Sequence, residues 1–221
     1  MKIYKILTLV LTVFILFGLL PRQSAQPKAV LKEQIIAARS MSLDNRYNNS
    51  FVNSVFKDNI LLTLRYLNGD ISKGTVINWK KVDEPFNFNL KLIPDSTFAF
   101  HDGVLPEFQG KVSKTTNAHF NSDEGFKSDG YLIGDGVCHL ASLINWAAKD
   151  AGLYVVAPTS HDFAVIPEVP KKYGVSIFSQ PVPSQTTLLQ NLYIKNNFKK
   201  PILIKFSYDG TNLKVAIVKE A

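Results

Sequence analysis

The sequence predicts an α+β fold with N-terminal helices, a central helix opening at Gly136/Cys138 and a largely antiparallel C-terminal sheet. Three observations carry this expectation. Apolar residues recur at three- and four-residue spacing early in the chain; an alanine-rich helical stretch follows Gly136; and short apolar runs cluster in the last third, the final two joined by Asp209-Gly210. The composition is that of a globular protein: 46% of the 221 residues are hydrophobic and 19% charged, with 12 Gly, 11 Pro and one Cys. Disordered, collagen-like and disulfide-scaffolded classes are excluded.

Taken in order, Lys2 and Lys5 precede an uncharged apolar run from Ile6 to Leu20 that ends at Pro21-Arg22. The run is shorter than the roughly 20 residues of a comfortable membrane span, and Ser24-Ala25 offers small residues for cleavage. Residues 1–25 therefore read as a signal peptide or signal-anchor, and the remainder is expected to be extracytoplasmic. Membrane contact is expected only through residues 6–20, if the leader is retained. Residues 26–54 form the expected N-terminal helical segment, with a helix over Ala29–Ser40. A second helix covers Phe51–Leu67, where Val52, Val55, Phe56, Ile60 and Leu64 share a face before Asn68-Gly69 stops it.

Asp70–Glu84 reads as a loop or insertion. Phe86, Phe88, Leu90 and Leu92 alternate with polar residues and predict a half-buried strand; Pro94-Asp95 turns the chain into a second short strand over Thr97–Phe100. Asp102–Asp129 is polar and glycine-spotted. Further strands are expected over Leu153–Ala157, Phe163–Ile166, Val175–Phe178, Leu188–Lys195, Ile202–Tyr208 and Leu213–Val218.

The chemistry-bearing segment is Gly134-Asp135-Gly136-Val137-Cys138-His139, which opens a helix running to about Asp150, with Asp135 as the expected N-cap. At roughly 100° per residue, Val137, Leu140, Ala141, Ile144 and Ala148 form one apolar face and His139, Leu143 and Trp146 a second, so burial on two sides is expected. Cys138 falls in the first turn, where orphan N–H groups and the helix dipole stabilise a thiolate. A lone cysteine in an exported chain is either a small packing residue or a nucleophile. For the nucleophile, His101, His119, His139 and His161 are the candidate bases. His161 is preferred because it lies between two expected strands, whereas the His139 side chain diverges from Cys138 by about 100° along the helix. Ser142 and Asn145, with His139 and Asp135 at the helix start, are the expected substrate contacts. Cys138, His139 and His161 match no compact zinc spacing, and there is no phosphate loop, dinucleotide glycine motif or HExxH sequence, so neither metal nor cofactor is expected.

Lys and Arg total 25 against 18 Asp and Glu, but Lys2, Lys5 and Arg22 lie in the leader. The mild excess left, with no basic stripe interleaved with aromatics, argues against a nucleic-acid partner.

Gly134-Asp135-Gly136-Val137-Cys138, followed by Ala141-Ser142, resembles the signature of the VanW-like family, named from vancomycin-resistance clusters. His161 stands where that family has a histidine. The run from Leu192 through Asn196-Asn197 and Pro201 to Ile204 resembles its late strand, Asn-rich turn and Pro-led strand, and Leu92 to Phe100 resembles its earlier Pro-turn and Phe-containing strand. The resemblance implies a VanW-like domain over residues 55–221 and a cell-envelope role linked to peptidoglycan, its peptide stems and glycopeptide resistance, but it supplies no reaction. Two readings follow: Cys-dependent acyl transfer, or a non-catalytic wall-binding domain in which Cys138 packs. The chain departs from the family at His139, where the family has Gln, and at Gly174-Val175-Ser176-Ile177, where it has an Asp-Ala-Thr-Val-like strand. Residues 70–85 resemble an insertion.

Overall fold

Asn49 begins the first well-capped helix by accepting hydrogen bonds on its side-chain oxygen from the N–H groups of Phe51 (3.0 Å) and Val52 (3.2 Å). In the computed structural model, which describes residues 33–180 and 184–220, this helix, α1, spans Ser50–Asn68 and ends at Gly69, whose φ of +84° suits a left-handed cap. The leader expected over residues 1–25, with its apolar run at 6–20, lies outside the described residues. Among those described, no helix is long and apolar enough to cross a membrane.

The segment before α1 corrects the sequence reading. Where a helix is expected over Ala29–Ser40, the described part is a strand, β1, at Glu33–Ser42. Local propensity is overridden by pairing: β1 runs antiparallel to the last strand, β8 (Asn212–Glu220), from Glu33 opposite Glu220 to Ser42 opposite Asn212. A short helix, α2 (Trp79–Val82), interrupts the expected loop, and β2 (Phe86–Leu92) and β3 (Thr97–Ala99) follow as the alternation predicts. The next strand, β4 (Val112–Lys114), lies in the polar stretch.

Helix α3 spans Val137–Asp150 and is buried nearly all round, including Val137, Leu140 and Ile144 on one face and His139 and Leu143 on the other. It leads to β5 (Tyr154–Val156), the short helix α4 (Gln185–Leu189), β6 (Tyr193–Lys195) and β7 (Ile202–Tyr208). The α+β class is as the sequence predicts. One antiparallel sheet has the order β1-β8-β7-β2, and a second has the order β4-β3-β6-β5, with β3 and β4 parallel.

Three expected strands are corrected. Leu188–Lys195 divides between α4 and β6, because the Ser184 hydroxyl accepts from the Thr187 N–H (3.3 Å) and starts a helical turn. Phe163–Ile166 and Val175–Phe178 are not strands. The latter is held by scattered bonds, Ser176 N–H to Thr159 O (2.9 Å) and Phe178 N–H to Gln190 O (3.0 Å), rather than by a ladder. The core joins α1, α3 and the first sheet through residues such as Ile60, Leu64, Leu140, Ile144, Ile204 and Ile217. Removing such side chains from water supplies the main driving force for the arrangement.

Candidate functional site at the start of α3

Gly136, not Asp135, is the N-cap of α3, and no side chain caps the helix. The correction has a steric cause. Gly136 has φ of +97°, and a Cβ there would sit 2.6 Å from the Phe56 carbonyl oxygen and 2.9 Å from the Phe56 Cα. Glycine thus lets the first turn of α3 rest directly on the backbone of α1. Asn59 of α1 fixes the preceding loop: its side-chain amide donates to the carbonyls of Lys127 (3.0 Å) and Asp135 (2.9 Å), and its oxygen accepts from the Lys127 N–H (2.9 Å). The result is a cavity of about 550 Å³ whose lining includes Arg46, Phe56, Asp135, Cys138, His139 and His161.

Cys138 is half-buried on the cavity wall. Its Sγ accepts from the Ile177 N–H (3.4 Å) and donates to the Ile177 carbonyl (3.8 Å), fastening residue 177 to the helix. Burial pushes the thiol up to about 11, against the opposing effect of the Ile177 N–H and with a further push from the Asp135 charge. The thiolate stabilisation expected at a helix N-terminus is outweighed here by desolvation. His161 lines the same cavity, but its Nδ1 is hydrogen-bonded to the Ala164 carbonyl (3.2 Å), and burial lowers its pKa. It lies in a loop rather than between two strands. Neither His139 nor His161 hydrogen-bonds Sγ.

His139 is buried with its ring centroid 5.0 Å from Phe56 and 6.2 Å from His161, both contacts edge-on. Burial, then the nearby charges of Arg46 and His161, bring it down to about 3, so it is neutral at neutral pH. Asp135 is raised to about 6, first by burial and then by the charge of Asp129, while it accepts from the Asp129 N–H (3.3 Å). Ser142 and Asn145 are buried outside the cavity lining. The Ser142 hydroxyl donates to the Cys138 carbonyl (2.7 Å) and accepts from the Val175 N–H (2.9 Å), and the Asn145 amide donates to the Tyr173 carbonyl (2.8 Å). Both therefore join Cys138 in binding the 173–177 segment to α3.

Sequence reasoning missed Arg46. It is fully buried, pairs with Glu168 Oε2 (2.7 Å), and donates to Asn45 Oδ1 (2.6 Å) and the Pro167 carbonyl (3.1 Å). A single arginine in a polar turn carries no distinguishing signal; only the tertiary contact reveals it. His119, one of the candidate bases, also lines the cavity. Its Nδ1 meets the buried carboxylate of Glu124 (2.7 Å) and its Nε2 meets Asp102 (3.1 Å). Burial opposes protonation of this ring, but the two carboxylates prevail and raise its pKa. Among the described residues, no group of His, Cys, Asp and Glu has metal-binding geometry.

The protein-family model described as VanW like protein matches residues 89–218, more than half of the chain. The matched span contains α3, Cys138, His139 and His161; α1 and Arg46 precede it. No curated protein and no solved structure gives a significant match.

Proposed function

Because the chain belongs to the VanW-like family, we propose that it is an exported cell-envelope protein that binds peptidoglycan or its peptide stems in the cavity at the start of α3. The observation that carries this reading is the cavity itself, which combines apolar rings with buried polar side chains while its thiol is occupied by Ile177. Such a mixture suits recognition of a ligand that is partly apolar and partly hydrogen-bonding. Cys138 then serves as a latch that holds one wall of the cavity.

The full-length chain, kept in solution with mild detergent, is expected to co-sediment with purified peptidoglycan at low and moderate salt. Failure of the wild-type chain to co-sediment overturns the reading. Export is tested separately: protease added outside intact cells that produce the protein should degrade it, and full protection would count against an extracytoplasmic location.

Cysteine-dependent acyl transfer is a second reading, favoured by the presence of Cys138 and His161 on one cavity at a helix start. In it, Cys138 attacks an amide carbonyl, the thiol proton passes by way of His161 to the leaving amine, first-turn N–H groups hold the oxyanion, and water releases the acyl group. Since the chain has one cysteine, alkylation reports on Cys138 alone. The binding reading expects the folded thiol to titrate near 11. A midpoint below the free-cysteine value of about 8.5, shifted by His161→Ala, would instead support acyl transfer.

A further inference from the structure

Five rings follow one another along the cavity wall. Tyr47 packs on Phe56 with centroids 5.9 Å apart, Phe56 on His139 at 5.0 Å, His139 on His161 at 6.2 Å, and His161 on Phe163 at 4.0 Å. All five line the cavity, as does Tyr131 from the loop before α3. The middle of this ladder is buried, yet its outer end and Tyr131 are bare: Phe163 is 76% exposed and Tyr131 92% exposed, with Val165 beside Phe163 at 89%. Large apolar side chains gathered around one opening mark a binding surface more often than scattered exposed residues do.

The chemistry of the wall narrows the ligand. His139 and His161 are held neutral by burial, and the Arg46 guanidinium is compensated by Glu168. His119, also on the lining, is paired with Glu124 and Asp102, so an anionic ligand would find no unpaired cation among the lining residues. The carboxyl of Asp135 is a further acceptor for hydroxyl groups. The wall is not purely apolar either. Arg46 Nε, His139 Nδ1 and Ser179 Oγ are buried without hydrogen-bond partners, and all three residues line this cavity. Arg46 and His139 are each more than nine-tenths buried. Leaving buried polar atoms unsatisfied is costly, so they favour a ligand with groups that can both donate and accept. An acyl chain offers none.

A pyranose chain meets each requirement: it is neutral, its C–H faces match the electron-rich faces of aromatic rings, and its hydroxyl and acetamido groups donate and accept. We propose that the cavity binds the glycan strand of the wall, a neutral N-acetylated hexosamine chain, by stacking sugar faces on Tyr131 and Phe163. The inference rests on the wall-binding reading and assigns its ligand to the sugar rather than to the peptide stem.

The test is calorimetric titration of the full-length chain in mild detergent with an N-acetylglucosamine hexamer, beside a stem tetrapeptide and phosphatidylglycerol vesicles as competing probes. Tyr131→Ala and Phe163→Ala alter exposed rings, so unchanged denaturation curves should show that the fold is retained. Each is expected to weaken hexamer binding roughly three- to tenfold, the worth of one aromatic stack. Ile35→Ala on β1, also exposed but outside the cavity, should leave it unchanged. Binding of the tetrapeptide alone, or of the vesicles alone, overturns the glycan assignment. So does hexamer binding that both ring variants leave intact, or no binding of any probe. Retention of the chain by whole peptidoglycan in such cases would preserve the broader reading, so the two failures are distinguishable.

Discussion

Replacing Gly136 by Ala tests how the site is built. Two costs add at this position. A φ of +97° is a backbone state that an L side chain enters at about 1–2 kcal/mol. The new Cβ would also lie 2.6 Å from the Phe56 carbonyl oxygen, and because the obstacle is backbone within α1, it can yield only if α1 moves. Overpacking of this kind costs about 1–3 kcal/mol, giving a combined loss of about 2–5 kcal/mol. That is a large share of the roughly 5–15 kcal/mol that holds a domain folded. Gly69→Ala is the matched control: its φ is +84°, but nothing lies within 4 Å of the added Cβ, so only the backbone cost of about 1–2 kcal/mol applies. Urea denaturation of both variants, with m-values checked for constancy, gives the comparison directly. Equal losses would refute the claim that α3 starts in backbone contact with α1, and with it the account of how the cavity floor is set.

Two further predictions use the same assay. Asn59→Ala should cost about 2–4 kcal/mol, because it strips partners from the Lys127 N–H and from the Lys127 and Asp135 carbonyls; a loss below about 1 kcal/mol would mean that water replaces the amide. For pH, the folded His139 refuses a proton until about 3, whereas the unfolded chain accepts one at 6.5, so stability is full above 6.5 and falls toward 3 by about 1.4 kcal/mol per unit from this site. His139→Gln should flatten that acid limb, and an unchanged slope between pH 4 and 6 would show that the ring is not buried in the folded state.

Much of what is written in neighbouring residues is legible, though the expected Asp135 cap gives way to Gly136 and Ser184 starts a helical turn that takes the first residues of an expected strand. What depends on distant partners is not legible. The spacing in α1 and α3, the alternation in β2 and the Asp209-Gly210 turn are written in consecutive residues. At that turn, the Asp209 carboxylate accepts from the N–H groups of Thr211 (2.9 Å) and Asn212 (2.7 Å), so the signal and the structure are the same few atoms. By contrast, Ala37, Ala38, Arg39 and Ser40 favour no strand by themselves and become one by pairing with residues 214–217 near the other end of the chain. The error at Phe163–Ile166 is of another kind. Alternation there does put Phe163 and Val165 together, but on the open rim of a cavity rather than against a core. Periodicity identifies residues that share a side; it does not identify what covers them. The same limit hid Arg46, while Cys138, Asp135 and His139 stand out because the glycine-rich helix start is contiguous with them in sequence; Ser142 and Asn145, singled out with them, lie outside the cavity lining.

The departures that the resemblance places at His139 and Gly174 both lie beside His161. At Gly174, where the resemblance places an Asp in relatives, an added Cβ would stand 3.0 Å from the His161 carbonyl oxygen and 3.3 Å from the His161 Cβ. A carboxylate growing from this position would therefore lie beside His161. Here there is none, and the imidazole bonds to the Ala164 carbonyl with its pKa lowered by burial. The backbone at Gly174 has φ of −59°, which any residue adopts, so Gly174→Asp is opposed only by tight contact and should cost about 1–3 kcal/mol. The added negative charge should favour the imidazolium and raise the His161 pKa, a shift that NMR titration of the ring can follow. Gly174→Asn supplies the same bulk without the charge and should leave that pKa nearly unchanged. If Asp and Asn act alike, the missing carboxylate is not what keeps His161 neutral, and burial alone explains the ring. If only Asp raises it, the glycine is the substitution that turned a chargeable histidine into part of a neutral aromatic wall.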